Sequence, residues 1–170
     1  MGCEPVECGE PDEGAEGMII LRVTPTKAVC PSGQAVGRRN LEEGKVPVVS
    51  CEGACIRGEI ARMAANIVAK EEPYRRICHG EILSAPHSEL YRWFVEAPRV
   101  LLIDGCFLRC HGRIIENLVD ADRLVQFDAL SHYKKFSQWF YLDSIPEDEK
   151  QEVARAVAEW VIESMREREV

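Results

Sequence analysis

The sequence predicts an α/β fold, a three-layer αβα sandwich with a mostly parallel sheet. Short apolar runs that end at turn residues alternate along the chain with segments whose apolar residues recur at helical spacing. The runs at 46–50 and 100–104 are almost entirely apolar, which is typical of strands buried on both faces of a sheet. The chain has 170 residues, 46% of them hydrophobic, which is enough for one domain with a substantial core.

Three segments are expected. Residues 1–17 form a flexible acidic tail that carries Cys3 and Cys8, residues 18–143 form the α/β domain, and residues 144–170 form an amphipathic helix packed on that domain. The domain begins with a predicted strand at 18–23, which Thr24-Pro25 ends.

The rest of the domain is predicted from apolar periodicity and from the residues that stop it. Residues 25–45, rich in Pro and Gly and containing Cys30, are predicted as a loop, and Ile82 and Leu83 as part of a connection. The further predicted strands lie at 46–50, 74–78, 100–104 and 123–128. The predicted helices lie at 59–71, around 90–95, at 108–118, within the aromatic-rich segment 131–143, and from 144 to about 168.

Composition excludes several classes of partner. A formal net charge of -8 without a basic patch argues against nucleic acid and anionic membranes. No stretch is apolar enough to cross a membrane, and the acidic N-terminus does not resemble a secretory signal. The sequence therefore predicts a cytoplasmic protein. Its eight cysteines then indicate metal or redox chemistry more than disulfides, because that compartment is reducing.

Three of the predicted strands end in cysteine, at Cys51, Cys78 and Cys106. If the strands are parallel, these thiols lie at one edge of the sheet, where α/β folds bind ligands. Cys110 joins them from the first helical turn after Cys106. Four thiolates satisfy tetrahedral Zn²⁺, so the sequence predicts a zinc site formed by these four cysteines.

Such a site carries excess negative charge and needs positive partners nearby. The predicted helices after Cys51 and Cys106 supply positive N-terminal ends, and Arg57 and Arg109 lie in the same turns. His79 and His111 directly follow proposed ligands. We expect them to lie at the surface or behind the ligands, with nitrogen ligation as the alternative.

The segment Ile103-Asp104-Gly105-Cys106-Phe107-Leu108-Arg109-Cys110 resembles the central motif of the DGC family, small proteins named for Asp-Gly-Cys and regarded as candidate zinc-binding proteins. The turns at 51–53 and 77–80 resemble two further motifs of that family, and the resemblance covers roughly residues 46–130. It implies metal binding by the same four cysteines. This chain differs from the family pattern at Glu52, which replaces Ser, and at Cys55, an added thiol that could substitute as a ligand.

The same turn supports a different activity. Cys51 and Arg57 have the C-x5-R spacing of a phosphate-binding loop, and the stretch is similar to the loop of low-molecular-weight phosphatases and arsenate reductases. In that alternative Cys51 is the nucleophile and Arg57 binds the oxyanion. Gly58 stands where those enzymes have Ser or Thr, and a late Asp-Pro general acid is absent from the sequence.

Two further alternatives remain open at this point. Paired cysteines also suit an iron–sulfur cluster, which would make the chain a redox protein. A closed shell of four thiolates instead favours a structural, sensing or metal-carrier role, because it leaves no position for substrate. Asp104, at the end of a strand, is expected to hold its turn in place more than to act as a catalytic carboxylate.

Overall fold

The computed structural model describes residues 22–134 and 145–168. The elements in chain order are α1 Pro31–Glu42, β1 Val46–Ser50, α2 Ile56–Val68, β2 Tyr74–Arg76, α3 His79–Ser84, α4 Glu89–Glu96, β3 Val100–Asp104, α5 Gly112–Ile115, β4 Leu124–Asp128, α6 Ala129–Tyr133 and α7 Glu147–Glu167. The four strands form one parallel sheet in the order β2-β1-β3-β4. The predicted α/β fold with a parallel sheet is confirmed.

The sheet has a hydrophobic core on each face. Helices α2, α6 and α7 cover one face, against Val48 and Ile103, and α1, α3, α4 and α5 cover the other, against Val49 and Leu102. The central strands β1 and β3 are buried along their whole length, as continuous apolar runs predict. The strand order reverses direction between β1 and β3, which puts the topological switch point at their carboxyl ends.

The predicted loop at 25–45 is wrong for most of its length, because α1 occupies Pro31–Glu42. Cys30 is its N-cap, with Sγ accepting the N–H of Gly33 at 3.4 Å, and Pro31 fits the first turn, where its missing N–H costs nothing. Gly37 allows α1 to approach α4, because a Cβ there would collide with the backbone of Glu89. The glycine therefore marks close packing, where the sequence analysis took it as a loop signal.

The predicted helix at 108–118 is also wrong, since only α5, Gly112–Ile115, is helical there. Arg109 has a φ of 51°, in the left-handed region that a helix cannot include. The predicted connection at Ile82 and Leu83 lies inside α3, and α2 begins at Ile56, three residues before the predicted start.

Several predictions fall on residues that the structure does not describe. They are the acidic tail, most of the strand at 18–23, the aromatic residues Phe136, Trp139, Phe140 and Tyr141, and the helix start at Ser144. Residues 22 and 23 lie in no strand. None of the helices in the described residues is long and apolar enough to cross a membrane.

Candidate metal centre

Cysteines follow three strands that are neighbours in the sheet. Cys78 follows β2, Cys51 follows β1 and Cys106 follows β3, and these strands are adjacent in the order β2-β1-β3. The Cys51 N–H donates to the Ile103 carbonyl at 2.9 Å, so the pairing of β1 with β3 continues to this thiol. We call Cys51, Cys55, Cys78, Cys106 and Cys110 the thiol edge.

Cys51 is partly buried against the core that α2 and α7 cover. Burial raises the pKa of Cys51, and the backbone N–H groups of Gly53 and Gly105 oppose that shift because they face the sulfur. The two N–H groups come from the turns after β1 and β3, so both central strands contribute to the environment of one thiol. Backbone N–H groups directed at sulfur stabilise the thiolate form that a metal requires.

Cys55 is the N-cap of α2 and is also partly buried. Burial alone would raise the pKa of Cys55, but the N–H of Gly58 and the side chain of Arg57 outweigh it and lower that pKa. The sulfurs of Cys51 and Cys55 lie on the same side of Gly53, 3.4 and 4.0 Å from where a Cβ of that residue would be. The added thiol therefore belongs to the same turn as the predicted ligand.

Two polar atoms near these thiols lack hydrogen-bond partners among the described residues. They are Nε of Arg57 and the hydroxyl of Tyr133, both buried. Burial raises the pKa of Tyr133, and the charge of Arg57 acts against that shift, so the two side chains are electrostatic neighbours. The thiols of Cys106 and Cys55 lie close enough to both side chains to raise the pKa of Arg57 and of Tyr133. Sequence analysis predicted Tyr133 only as part of an aromatic helix packed on the core, and α6 also brings its hydroxyl near these thiols.

Glu52 connects the ends of β1 and β2. Its Oε1 accepts the Ser50 hydroxyl at 2.8 Å and Arg76 Nη2 at 2.9 Å, and lies 3.4 Å from His79 Nδ1. Burial alone would raise the pKa of Glu52, but the bonds from Ser50 and Arg76 outweigh it and lower that pKa. Arg76 also donates to the Val48 carbonyl at 3.1 Å. The residue that departs from the family pattern thus fixes the turn that carries Cys78.

His79 is satisfied on both ring nitrogens. Nε2 accepts the Ser50 N–H at 3.4 Å, which leaves the proton on Nδ1, facing Glu52. The role of His79 behind the ligands stays a prediction. His111 lies beside it, with ring centroids 5.4 Å apart, and its Nδ1 is buried without a partner in the described part of the chain.

The environment of His79 predicts acid sensitivity. Burial lowers the pKa of His79 from 6.5 to about 4, despite the carboxylate of Glu52. The unfolded chain therefore binds a proton between pH 6.5 and 4 that the folded chain does not, so stability falls as the pH drops through that window. We expect a loss of up to about 3 kcal/mol near pH 4.

Urea unfolding of metal-free protein at pH 7 and pH 4.5 tests this expectation. The variant His79→Gln should lose much of the difference between the two pH values, whereas His87→Gln, at an exposed histidine, should keep it. An unchanged pH dependence in His79→Gln would contradict the assignment.

Asp104 has a structural role, as its strand-end position indicated. It is 1% exposed, and its carboxylate accepts the N–H of Gly112 at 3.4 Å and the side-chain amide of Gln126. Sequence analysis missed Gln126. A polar residue between two hydrophobic ones in a predicted strand was the available signal, since it implies a polar partner on one face of the sheet.

The five thiols differ in exposure. Cys51, Cys55 and Cys106 are partly buried, whereas Cys78 and Cys110 are exposed. Within residues 22–134 and 145–168, no group of three or more His, Cys, Asp and Glu side chains has a geometry that could hold a metal ion. Cys51, Cys78 and Cys106 follow three adjacent parallel strands, and the four-cysteine ligand set, with Cys110 as its fourth member, stays a prediction.

Comparison with protein families gives a match over most of the chain. Residues 47–157 match the family described as DGC domain. The match runs into α7, so the family domain extends beyond residue 130, where the sequence resemblance was thought to end. Neither curated proteins nor solved structures gave a match.

Proposed function

Because the chain belongs to the DGC domain family, a family associated with metal binding, we propose that it binds one zinc ion at the thiol edge. The ligands are Cys51, Cys78, Cys106 and Cys110, with Cys55 as a possible substitute. The observation that carries the proposal is the placement of cysteines after three adjacent parallel strands, β2, β1 and β3.

The spacing of the strands suits four-thiolate coordination. Neighbouring strands lie about 4.8 Å apart, and sulfurs that share a tetrahedral zinc at 2.3 Å lie roughly 3.8 Å apart. Cys78 and Cys106 each lie one strand spacing from Cys51 and two from each other, so both side chains must rotate toward Cys51 for the three sulfurs to share one ion. The exposed side chains of Cys78 and Cys110 have the freedom to make that rotation, so we expect metal binding to draw them inward.

The surroundings of the inner thiols support a thiolate site. Gly53 and Gly105 direct N–H groups at Cys51, and α2 directs its N-terminus and Arg57 toward Cys55. These groups offset part of the negative charge of a zinc site with four thiolates. Zinc bound in this way ties the ends of the central strands together.

A closed shell of four cysteines leaves no coordination position for a substrate. We therefore assign the site a structural, sensing or metal-carrier role. A cytoplasmic location fits this role because the six cysteines of the described residues are free thiols. The net charge of -8 supports a protein that binds neither nucleic acid nor membranes.

Zinc removal is the direct test of a structural contribution. We expect the protein loaded with one equivalent of zinc to melt several degrees higher than the same sample after chelation, since metal binding is linked to folding. Magnesium added at the same concentration is the control, because thiolates do not favour it. Equal melting temperatures with zinc and with chelator would contradict the proposal.

One observation supports the second candidate, a cysteine-dependent phosphatase or arsenate-reductase-like enzyme. Arg57 Nε is buried without a partner among the described residues and lies beside the N-terminus of α2, where an oxyanion would be favoured. In this candidate Cys51 attacks and Arg57 binds two oxygens of the substrate. Gly58 in place of the usual hydroxyl weighs against it.

Hydrolysis of p-nitrophenyl phosphate separates the two candidates. The zinc proposal predicts no turnover by the parent protein or by Arg57→Ala, with zinc content close to one per chain in both. Turnover that disappears in Arg57→Ala while zinc content stays constant would instead establish the enzyme.

A further inference from the structure

A chain of hydrogen bonds runs beneath the loop that joins β3 to α5. It begins at the N–H of Gly112, which donates to Oδ1 of Asp104 at 3.4 Å. Oδ2 of Asp104 accepts from Nε2 of Gln126, and Oε1 of Gln126 accepts from Nη2 of Arg109. The direction of each bond in this hydrogen-bond chain is fixed, because a guanidinium can only donate and a carboxylate can only accept. The amide between them must therefore take one orientation.

The two ends of this hydrogen-bond chain are the residues on either side of Cys110 and His111, bound through the backbone N–H of Gly112 and the side chain of Arg109. Arg109 precedes them with a φ of 51°, in the left-handed region that residues with a side chain rarely adopt. Gly112 follows them, and a Cβ there would lie 2.7 Å from Oδ2 of Asp104 and collide with the amide of Gln126. The loop thus approaches the buried carboxylate as closely as a residue without a side chain permits.

Burial makes this arrangement energetically important. Asp104 is 1% exposed, so its carboxylate depends on Gly112 and Gln126 for the hydrogen bonds that water cannot supply. Cys110, by contrast, is exposed and packs in no core cluster. Its position must therefore come from the residues that flank it.

We propose that Asp104 and Gln126 are positioning residues that hold the Cys110–His111 segment in place for the metal site. The inference rests on the proposed function for its role, and on the hydrogen-bond chain for its geometry. Neither residue touches the metal. Asp104 holds the Gly112 end of the segment, and Gln126, together with Glu116, holds the side chain of Arg109 at the other end.

The direction of the hydrogen bonds permits a rescue experiment. In Asp104→Asn, the NH₂ groups of two side-chain amides face each other, so two donors meet without an acceptor. Turning the amide of Gln126 over only makes its NH₂ group face the donor of Arg109 instead. In Gln126→Glu, two carboxylates face each other. In the double variant the new amide at 104 donates to the new carboxylate at 126, which still accepts from Arg109, while the amide oxygen still accepts from Gly112.

Two readouts are needed. The first is the affinity for Co²⁺, measured together with the visible spectrum of the bound ion. Each single variant should bind Co²⁺ about 10–100-fold more weakly than the parent, which is the usual effect of changing residues behind metal ligands. The second is amide hydrogen exchange of residues 105–112 in metal-free protein, which should accelerate in each single variant while α4 stays unchanged. The double variant should recover most of the affinity, the parent spectrum and the slow exchange.

The outcomes are distinguishable. Recovery of both readouts in the double variant supports the proposal. Single variants that unfold more easily in urea but keep parent Co²⁺ affinity and spectrum would limit the pair to a structural role and overturn it. A double variant with Co²⁺ affinity no higher and hydrogen exchange no slower than in the single variants would also overturn it. A parent protein that binds no Co²⁺, with exchange still rescued in the double variant, would support the positioning and refute the proposed function.

Discussion

Replacing Cys106 with serine is expected to abolish stoichiometric zinc binding. Cys106 follows β3, a central strand, and is partly buried next to Arg57. Serine cannot supply the thiolate, and the remaining cysteines leave the tetrahedral shell incomplete. At a zinc concentration a hundredfold above the dissociation constant of the parent, the variant should lose about 3 kcal/mol of unfolding free energy relative to the parent.

Elemental analysis measures the zinc content per chain. Urea unfolding in the presence and absence of a chelator measures the loss of unfolding free energy. Cys30→Ser is the matched control, because Cys30 is also a free thiol but lies at the N-cap of α1, where serine preserves the cap. The control should keep both zinc and stability. Full zinc content in Cys106→Ser would remove that cysteine from the ligand set.

Replacing Gly105 with alanine should damage both the fold and the metal site. A Cβ at this position would lie 2.7 Å from the carbonyl carbon of Arg57 and 2.9 Å from the nitrogen of Gly58. These are backbone atoms at the start of α2, so no side chain can move away, and the turn after β3 must shift. Overpacking of this kind costs about 1–3 kcal/mol, occasionally more. The shift also withdraws the Gly105 N–H from Cys51.

The unfolding free energy of metal-free Gly105→Ala, compared with the parent, gives the structural cost, and its zinc affinity gives the effect on the site. Gly80→Ala serves as the control, since its new Cβ would meet only the sulfur of Cys78, at 4.0 Å. Alanine in α3 should be neutral or slightly stabilising. Parent-like stability in Gly105→Ala would show that the close approach of the two turns is not required.

The strands and most helices could be predicted because their patterns are local. The continuous apolar runs of β1 and β3 reflect burial on both faces, and the periodic apolar residues of α2 and α7 reflect one buried face each. Helix α1 could not be predicted in the same way, because Gly33 and Gly37 look like loop residues until the helix that packs against them is known.

The candidate site was predictable in its location and not in its supporting contacts. Parallel strands place Cys51, Cys78 and Cys106 at one edge of the sheet, a consequence of topology that the sequence pattern carries. The pairing of Glu52 with Arg76, and of Asp104 with Gln126, joins residues more than twenty positions apart. Such contacts depend on strand order and register, which local periodicity does not specify.

Elemental analysis of the untagged protein, purified anaerobically without chelators, tests the central claim most directly when the same sample is also measured by visible absorption. We predict about one zinc per chain and no visible absorbance, as expected for a closed-shell ion bound by thiolates. Iron with brown absorbance would contradict the zinc proposal and establish a redox protein. Protein without any metal would also contradict it, and would leave the thiols of Cys51 and Cys55 free for the chemistry of the second candidate.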